Sequence, residues 1–239
     1  MAALARLAAG RARGRVAARA GEGRYGRQRP PRANVGQRGA NGRPRPRRPK
    51  RRLPPEILTH DEVCRLLAAC SDTSTGLRNR ALIALMYRSG LRVAEALALY
   101  PKDVDFAAGT IRVLHGKGDR SRTVGVDAGA LAVVTPWLEA RRALPVTDLH
   151  PLLCTRDGRA VGQGYLRRLW GNLARAAGIA KRVHAHGFRH THAAQLRAEG
   201  VDIGIISKQL GHRSITTTAC YLDHICPMAV VEVVRARKW

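Results

Sequence analysis

Only the part of the chain after about residue 52 can build a buried core. Residues 1–52 hold 17 Lys and Arg against one acid, Glu22, and the remainder is mostly Gly, Ala and Pro with almost no large apolar side chains. A stretch so composed cannot bury enough surface to offset its ordering entropy. It is therefore expected to be a disordered basic tail, with the folded domain confined to 53–239. The tail supplies +16 of the formal net charge of +26. Such an excess points to a polyanion, because each neutralised phosphate releases condensed counterions. Anionic membrane surfaces could use the same charge, but no run approaches the 18 apolar residues that a membrane span requires. The Arg-rich start has the look of an organellar transit peptide. Against this, the first Thr is Thr59 and the first Ser is Ser71, whereas transit peptides are Ser-rich. Five cysteines, odd in number and without a CxxC pair, fit reduced thiols in a cytoplasmic compartment better than a disulfide framework.

Beyond residue 52 the hydrophobic pattern has mostly a helical period. Thr59 and Glu62 have the spacing of a capping box, followed by Val63, Leu66, Leu67 and Cys70 on one helix face. Helices are predicted over about 77–88, closed by Gly90, and over 92–99, stopped by Pro101. The period then changes. Residues 110–114 and 121–126 read as two strands joined by a glycine-rich turn that carries Lys117. Further helices are predicted over 128–142, 162–177, 188–199, 203–210 and 227–237, and Pro136 should kink or split the first of these. The expected fold class is mostly α with a small antiparallel β-sheet (α+β).

Four short segments carry groups suited to phosphate chemistry. Arg92 follows a glycine break at a helix start, where backbone N–H groups favour an anion, and Glu95 is spaced to hold its guanidinium. Lys117 lies between two glycines, and a lysine there can reach a phosphate or protonate a leaving oxygen. His186 and Arg189 converge where a helix begins, pairing a proton acceptor with a two-pronged phosphate grip. His212 follows a glycine stop, and a Thr-rich segment leads from it to Tyr221. A phenol becomes a nucleophile only where a base or nearby cations stabilise the phenolate. Each segment alone is equally consistent with a surface ion pair, a solvated turn or an ordinary tyrosine. Metal readings at His184 and His186, or at Cys220, His224 and Cys226, lack the carboxylates or the spacing that metal sites usually show. No metal or other cofactor is expected.

Taken in order, SGLRVAEALAL (89–99), HGKGDRSRTV (115–124), HGFRHTHAAQL (186–196) and LGHRSITTTACY (210–221) resemble the signature boxes of the tyrosine recombinases, the phage integrase family. The resemblance covers about residues 53–235. It implies that Arg92 and Arg189 clamp a scissile phosphate and that Lys117 protonates the departing 5′ oxygen. It further implies that His186 assists proton transfer, His212 bonds a non-bridging oxygen, Tyr221 attacks phosphorus and Glu95 supports the site. The implied activity is site-specific recombination or integration of double-stranded DNA through a 3′-phosphotyrosine, with neither metal nor ATP. The implied assembly is a synaptic homo-tetramer on DNA, with the helix at 227–237 docked on a neighbouring protomer, in a cytoplasmic, nucleoid-associated protein. Phe188 stands where the family usually has Leu, and Cys220 where a longer residue is common. The family's usual N-terminal core-binding domain is apparently absent before residue 53. That keeps open an alternative, a truncated and catalytically idle DNA-binding relic.

Overall fold

The computed structural model describes residues 56–114 and 121–238. The expected tail at 1–52 and the turn carrying Lys117 lie outside the described residues. α1 (His60–Ala68) begins at the expected box: Glu62 N–H donates to the Thr59 hydroxyl at 3.1 Å, and Thr59 N–H donates to the Glu62 carboxylate at 2.7 Å. α2 (Ser74–Ser89) starts three residues before the predicted boundary, because the Thr73 hydroxyl caps it by accepting from Gly76 N–H at 3.3 Å. It stops at Gly90, whose φ of 63° is left-handed. The run Ala81–Tyr87 is buried on every side, so α2 is the central helix, packed against the later helices Ala128–Arg142 and Ala185–Ala198.

After α3 (Val93–Leu97) and a 3-10 turn at Pro101–Asp103, three strands form an antiparallel sheet in the order β1 (Val104–Asp105), β2 (Thr110–Val113), β3 (Arg122–Gly125). Ile111 pairs with Val124 and Val113 with Arg122. This register puts Ile111, Val113 and Val124 into the core. The two predicted strands are present. The two-residue β1 was too short to show a period.

α4 (Ala128–Arg142) runs unbroken through Pro136, so of the expected kink or split, the split does not occur. Its inner face, with Val134 and Trp137 fully buried, is held by packing, and Trp137 Nε1–H donates to the Leu152 carbonyl at 2.9 Å. These contacts outweigh the loss of one backbone donor at the proline. α5 (Gln163–Ala176) and α6 (Ala185–Ala198) follow, the latter starting three residues before its predicted boundary. Phe188 belongs to the main core, edge-on to Trp170 at 5.4 Å. Ala193, further along α6, belongs to a second cluster with Ile206, Leu210, Leu222 and Ile225. α6 is thus fixed by both cores. The second cluster is completed by α7 (Ile203–Leu210) and α8 (Ile215–Ile225). α8 was not predicted, and Tyr221 lies within it. α9 (Ala229–Arg235) is shorter than the predicted 227–237. Met228, Val231, Val233 and Val234 are exposed. Among the described residues no helix is long and apolar enough to cross a membrane.

Candidate active site

The site begins with an ion-pair network. Arg92 is the N-cap of α3, its own N–H donating to Glu95 at 2.9 Å and its guanidinium donating to the same carboxylate at 2.7 Å. From β3, Arg122 donates to both Glu95 oxygens at 3.0 and 2.8 Å. Burial pushes the Glu95 pKa up, but the hydrogen bonds from Arg122 and Arg92 outweigh it and hold it at about 2. Glu95 therefore stays ionised and orients two guanidinium groups. Gly211 closes over Arg122: its φ is +66°, and a Cβ there would lie 2.7 Å from Arg122 Nε. Glycine is required by both conformation and clearance. Replacing Glu95 by alanine leaves both half-buried arginines unpaired. It should cost about 3 kcal/mol or more, measured by urea unfolding; a loss below about 1 kcal/mol would contradict this network.

Arg189, on α6, is 2% exposed. Its guanidinium donates to the carbonyls of Gly90 at 2.6 Å and Leu210 at 2.5 Å, and meets His212 Nε2 at 3.2 Å. Both carbonyls come from glycine-stopped helix ends, where unpaired backbone acceptors are available. The other ring nitrogen of His212 bonds the hydroxyl of Thr218, a fully buried residue of α8, at 2.9 Å. Tyr221 lies one turn beyond Thr218, its ring edge-on to His212 at 5.3 Å and stacked on His190 at 5.1 Å. His190 in turn meets His186 edge-on at 5.6 Å. The Tyr221 hydroxyl is buried with the Arg189 guanidinium as its neighbouring donor, though the two do not form a well-aligned hydrogen bond. Burial pushes its pKa to about 12 against the pull of Arg189 and Arg92. A phenol in that state is protonated, and only added stabilisation of the phenolate makes it reactive.

The histidines here are neutral at physiological pH. Burial, then the surrounding cations, takes His212 down to about 4, and burial with neighbouring histidines takes His190 to about 4. His192, 6% exposed, is also near 4, through burial and then Arg88. His186 is lowered by burial and then by Arg189. In each case the folded value lies below the ordinary 6.5, so below that pH the unfolded chain binds protons the folded one refuses. Stability should be full above about pH 6.5 and fall as pH drops toward 4, by up to about 1.4 kcal/mol per pH unit for each histidine. A thermal midpoint that stays level from pH 6.5 to 4.5 would refute the reading.

Of the residues singled out from sequence, Arg92, Glu95, His186, Arg189, His212 and Tyr221 are thus brought into one cluster, while Lys117 lies outside the described residues. His184 is a structural cap, its Nδ1 accepting from Gly187 N–H at 2.7 Å. Among the described residues no group of three or more His, Cys, Asp or Glu is placed to hold a metal ion. Sequence reasoning missed Arg122, His190 and Thr218. His190 had a signal, being one helical turn from His186. Thr218 is similarly spaced from Tyr221, but only once α8 is known. Arg122 had none, because its partner is 27 residues away.

Comparison with known proteins agrees with this geometry. The sequence profile of the phage integrase family matches residues 56–225. Tyrosine recombinase XerC of Thermodesulfovibrio yellowstonii is 33% identical over 189 residues, covering 77% of this chain and 62% of that protein. XerC of Xanthomonas campestris pv. campestris is 36% identical over 167 residues, 70% of this chain and 51% of that protein. The chain therefore spans only part of the length of these curated relatives. Among solved structures, XerA recombinase is similar with a TM-score of 0.66 at 30% identity, covering 77% of this chain and 66% of that one. XerH site-specific recombinase, in a post-cleavage complex with palindromic difH substrate, has a TM-score of 0.64 at 30% identity, with 77% and 54% covered. A profile match over most of the chain, spanning every segment that builds the cluster, shows that this chain belongs to the phage integrase family.

Proposed function

We propose that residues 53–239 are the catalytic domain of a site-specific recombinase or integrase that cleaves and rejoins double-stranded DNA through a 3′-phosphotyrosine. The observation that carries this reading is the placement of Arg189 and Arg92 near enough to favour the Tyr221 phenolate, with the His212 ring 5.3 Å from the Tyr221 ring. Among the described residues Glu95 is the one carboxylate in that cluster, and it is already committed to Arg92 and Arg122. The excess positive charge suits an anion with several oxygens, such as a phosphodiester.

In this mechanism Arg92 and Arg189 grip the non-bridging oxygens, whose negative charge grows at the transition state. His212, held by Thr218, bonds one of them. Tyr221 attacks phosphorus, giving up its proton with help from His186. The bond to the 5′ oxygen breaks, and Lys117 supplies that oxygen's proton. The phosphodiester energy is kept in the tyrosyl ester, so a 5′ hydroxyl from another strand reverses the step without an external energy source. The basic tail at 1–52 adds sequence-independent grip on DNA, and in the cell the protein works on chromosomal DNA in the cytoplasm. The exposed apolar side chains of α9 suit docking on a second protomer within a tetramer.

The test is a denaturing-gel assay for a covalent protein–DNA adduct, using nicked substrates drawn from DNA flanking the encoding locus. A shifted band that protease removes is the expected result. Tight binding with no adduct on any such substrate would move the reading to a DNA-binding protein without cleavage activity.

A further inference from the structure

A cavity of about 510 Å³ opens between α3, α5 and the start of α6, and it shares His186 and His190 with the catalytic cluster. Val93, Leu166 and Trp170 form its apolar side. That side is preformed, because Trp170 is fixed by its edge-on contact with Phe188 at 5.4 Å. Arg167 of α5 and Arg182, just before α6, supply its charge. Both side chains are exposed, and among the described residues neither guanidinium enters an ion pair or a hydrogen bond. No Asp or Glu is among the described residues that line the cavity, so it is positive even with its histidines neutral.

The two halves of this lining ask for different things. A backbone phosphate of paired DNA would satisfy the arginines but not fill a space of this size, which is that of a small-molecule site. A purely apolar ligand would leave the arginines without a counterpart. An apolar ring system that carries a phosphate answers both. Position narrows the choice further. His190 is stacked on the Tyr221 ring at 5.1 Å, so an occupant touching His190 lies one ring away from the proposed nucleophile.

We propose that this cavity takes one unpaired nucleotide, with its base against Val93, Leu166 and Trp170 and its phosphate on Arg167 and Arg182. The nucleotide comes either free from solution or from a strand end at the break, and this second source rests on the recombinase reading. There the cavity has a use. Rejoining to a different strand requires the cleaved end to leave its own complement, and a pocket that receives one base offsets part of the lost pairing and stacking.

The probe is thymidine 5′-monophosphate, titrated into the full-length protein while the indole resonances of Trp170 are followed by NMR. Reading at Trp170 leaves out anything bound by the basic tail. The expected result is a saturable shift, with affinity about tenfold or more above that of 2-deoxyribose 5-phosphate, which lacks the base. Thymidine, which lacks the phosphate, should bind more weakly by a similar factor. Arg182→Gln and Arg167→Gln change exposed side chains, and each should weaken the nucleotide roughly tenfold, as expected for losing a hydrogen bond to a charged group. Absence of a saturable shift overturns the proposal. So does deoxyribose phosphate or thymidine binding as tightly as the nucleotide, or affinity unchanged in both variants. The source is decided by competition. A nicked duplex with one unpaired thymidine at the nick that displaces the nucleotide better than a fully paired nick assigns the cavity to DNA; no difference assigns it to free nucleotides. Covalent adduct without nucleotide binding would overturn this proposal alone, and nucleotide binding without adduct would overturn only the cleavage reading.

Discussion

Tyr221→Phe is expected to eliminate the covalent adduct entirely while DNA binding stays within about 1 kcal/mol of the parent. Only one oxygen is removed, and the donor beside it, Arg189, is not well aligned to it. The same fact predicts an unusual companion result. A buried, poorly satisfied hydroxyl costs its desolvation, so removing it should leave the thermal midpoint unchanged or slightly raised. The ring still packs on His190 and His212 as before. A catalytic group that the fold would be no less stable without is the pattern expected where a position is kept for chemistry. The two readouts separate cleanly on a denaturing gel and in a melting curve. An adduct surviving in Tyr221→Phe would mean that another side chain is the nucleophile. A marked loss of stability would mean that Tyr221 serves the fold.

Arg189 is expected to behave in the opposite way, with stability and cleavage both lost on truncation. Arg189→Ala removes the donors to Gly90 and Leu210 and leaves those carbonyls and a side-chain-sized void inside the protein. The destabilisation should be several kcal/mol, on the order of 3. To separate fold from chemistry, Arg189→Lys keeps the positive charge and most of the volume but lacks the planar fork. Cleavage in that variant should fall by about 10²–10³, the scale seen when one preorganised donor to a developing oxyanion is removed. A folded Arg189→Lys protein that forms adduct within about tenfold of the parent rate would show that Arg189 acts only as an internal strut.

Much of the site was visible before any tertiary structure, and the reasons are local. The capping box at Thr59 and Glu62 acts within one helical turn. The stops at Gly90 and Gly211 rest on left-handed backbone that glycine alone adopts at little cost. α7 (Ile203–Leu210) matches its predicted bounds because a capping aspartate, Asp202, precedes it and a glycine follows. α8 was hidden by the opposite circumstance. Thr216, Thr217 and Thr218 are β-branched and weak helix formers, so propensity argued against a helix that tertiary packing supplies. Thr218, Leu222 and Ile225 are buried at helical spacing. In α4 packing again prevailed over a local rule, and the helix passes through Pro136.

The residue sequence by itself determined which chemical groups are present, their order, and where most helices start and stop, because caps, turns and amphipathic stripes are decided within a few positions. It could not say which of those groups meet. Arg189 and Gly90 are 99 residues apart, and Arg122 and Glu95 are 27 apart. Their pairing depends on how α6, β3 and the end of α2 are stacked. The pKa of Glu95, the neutrality of His212 and the raised pKa of Tyr221 likewise follow from burial and from cations brought in by other elements. Only the tertiary structure decided these, since desolvation and charge act through space and not along the chain.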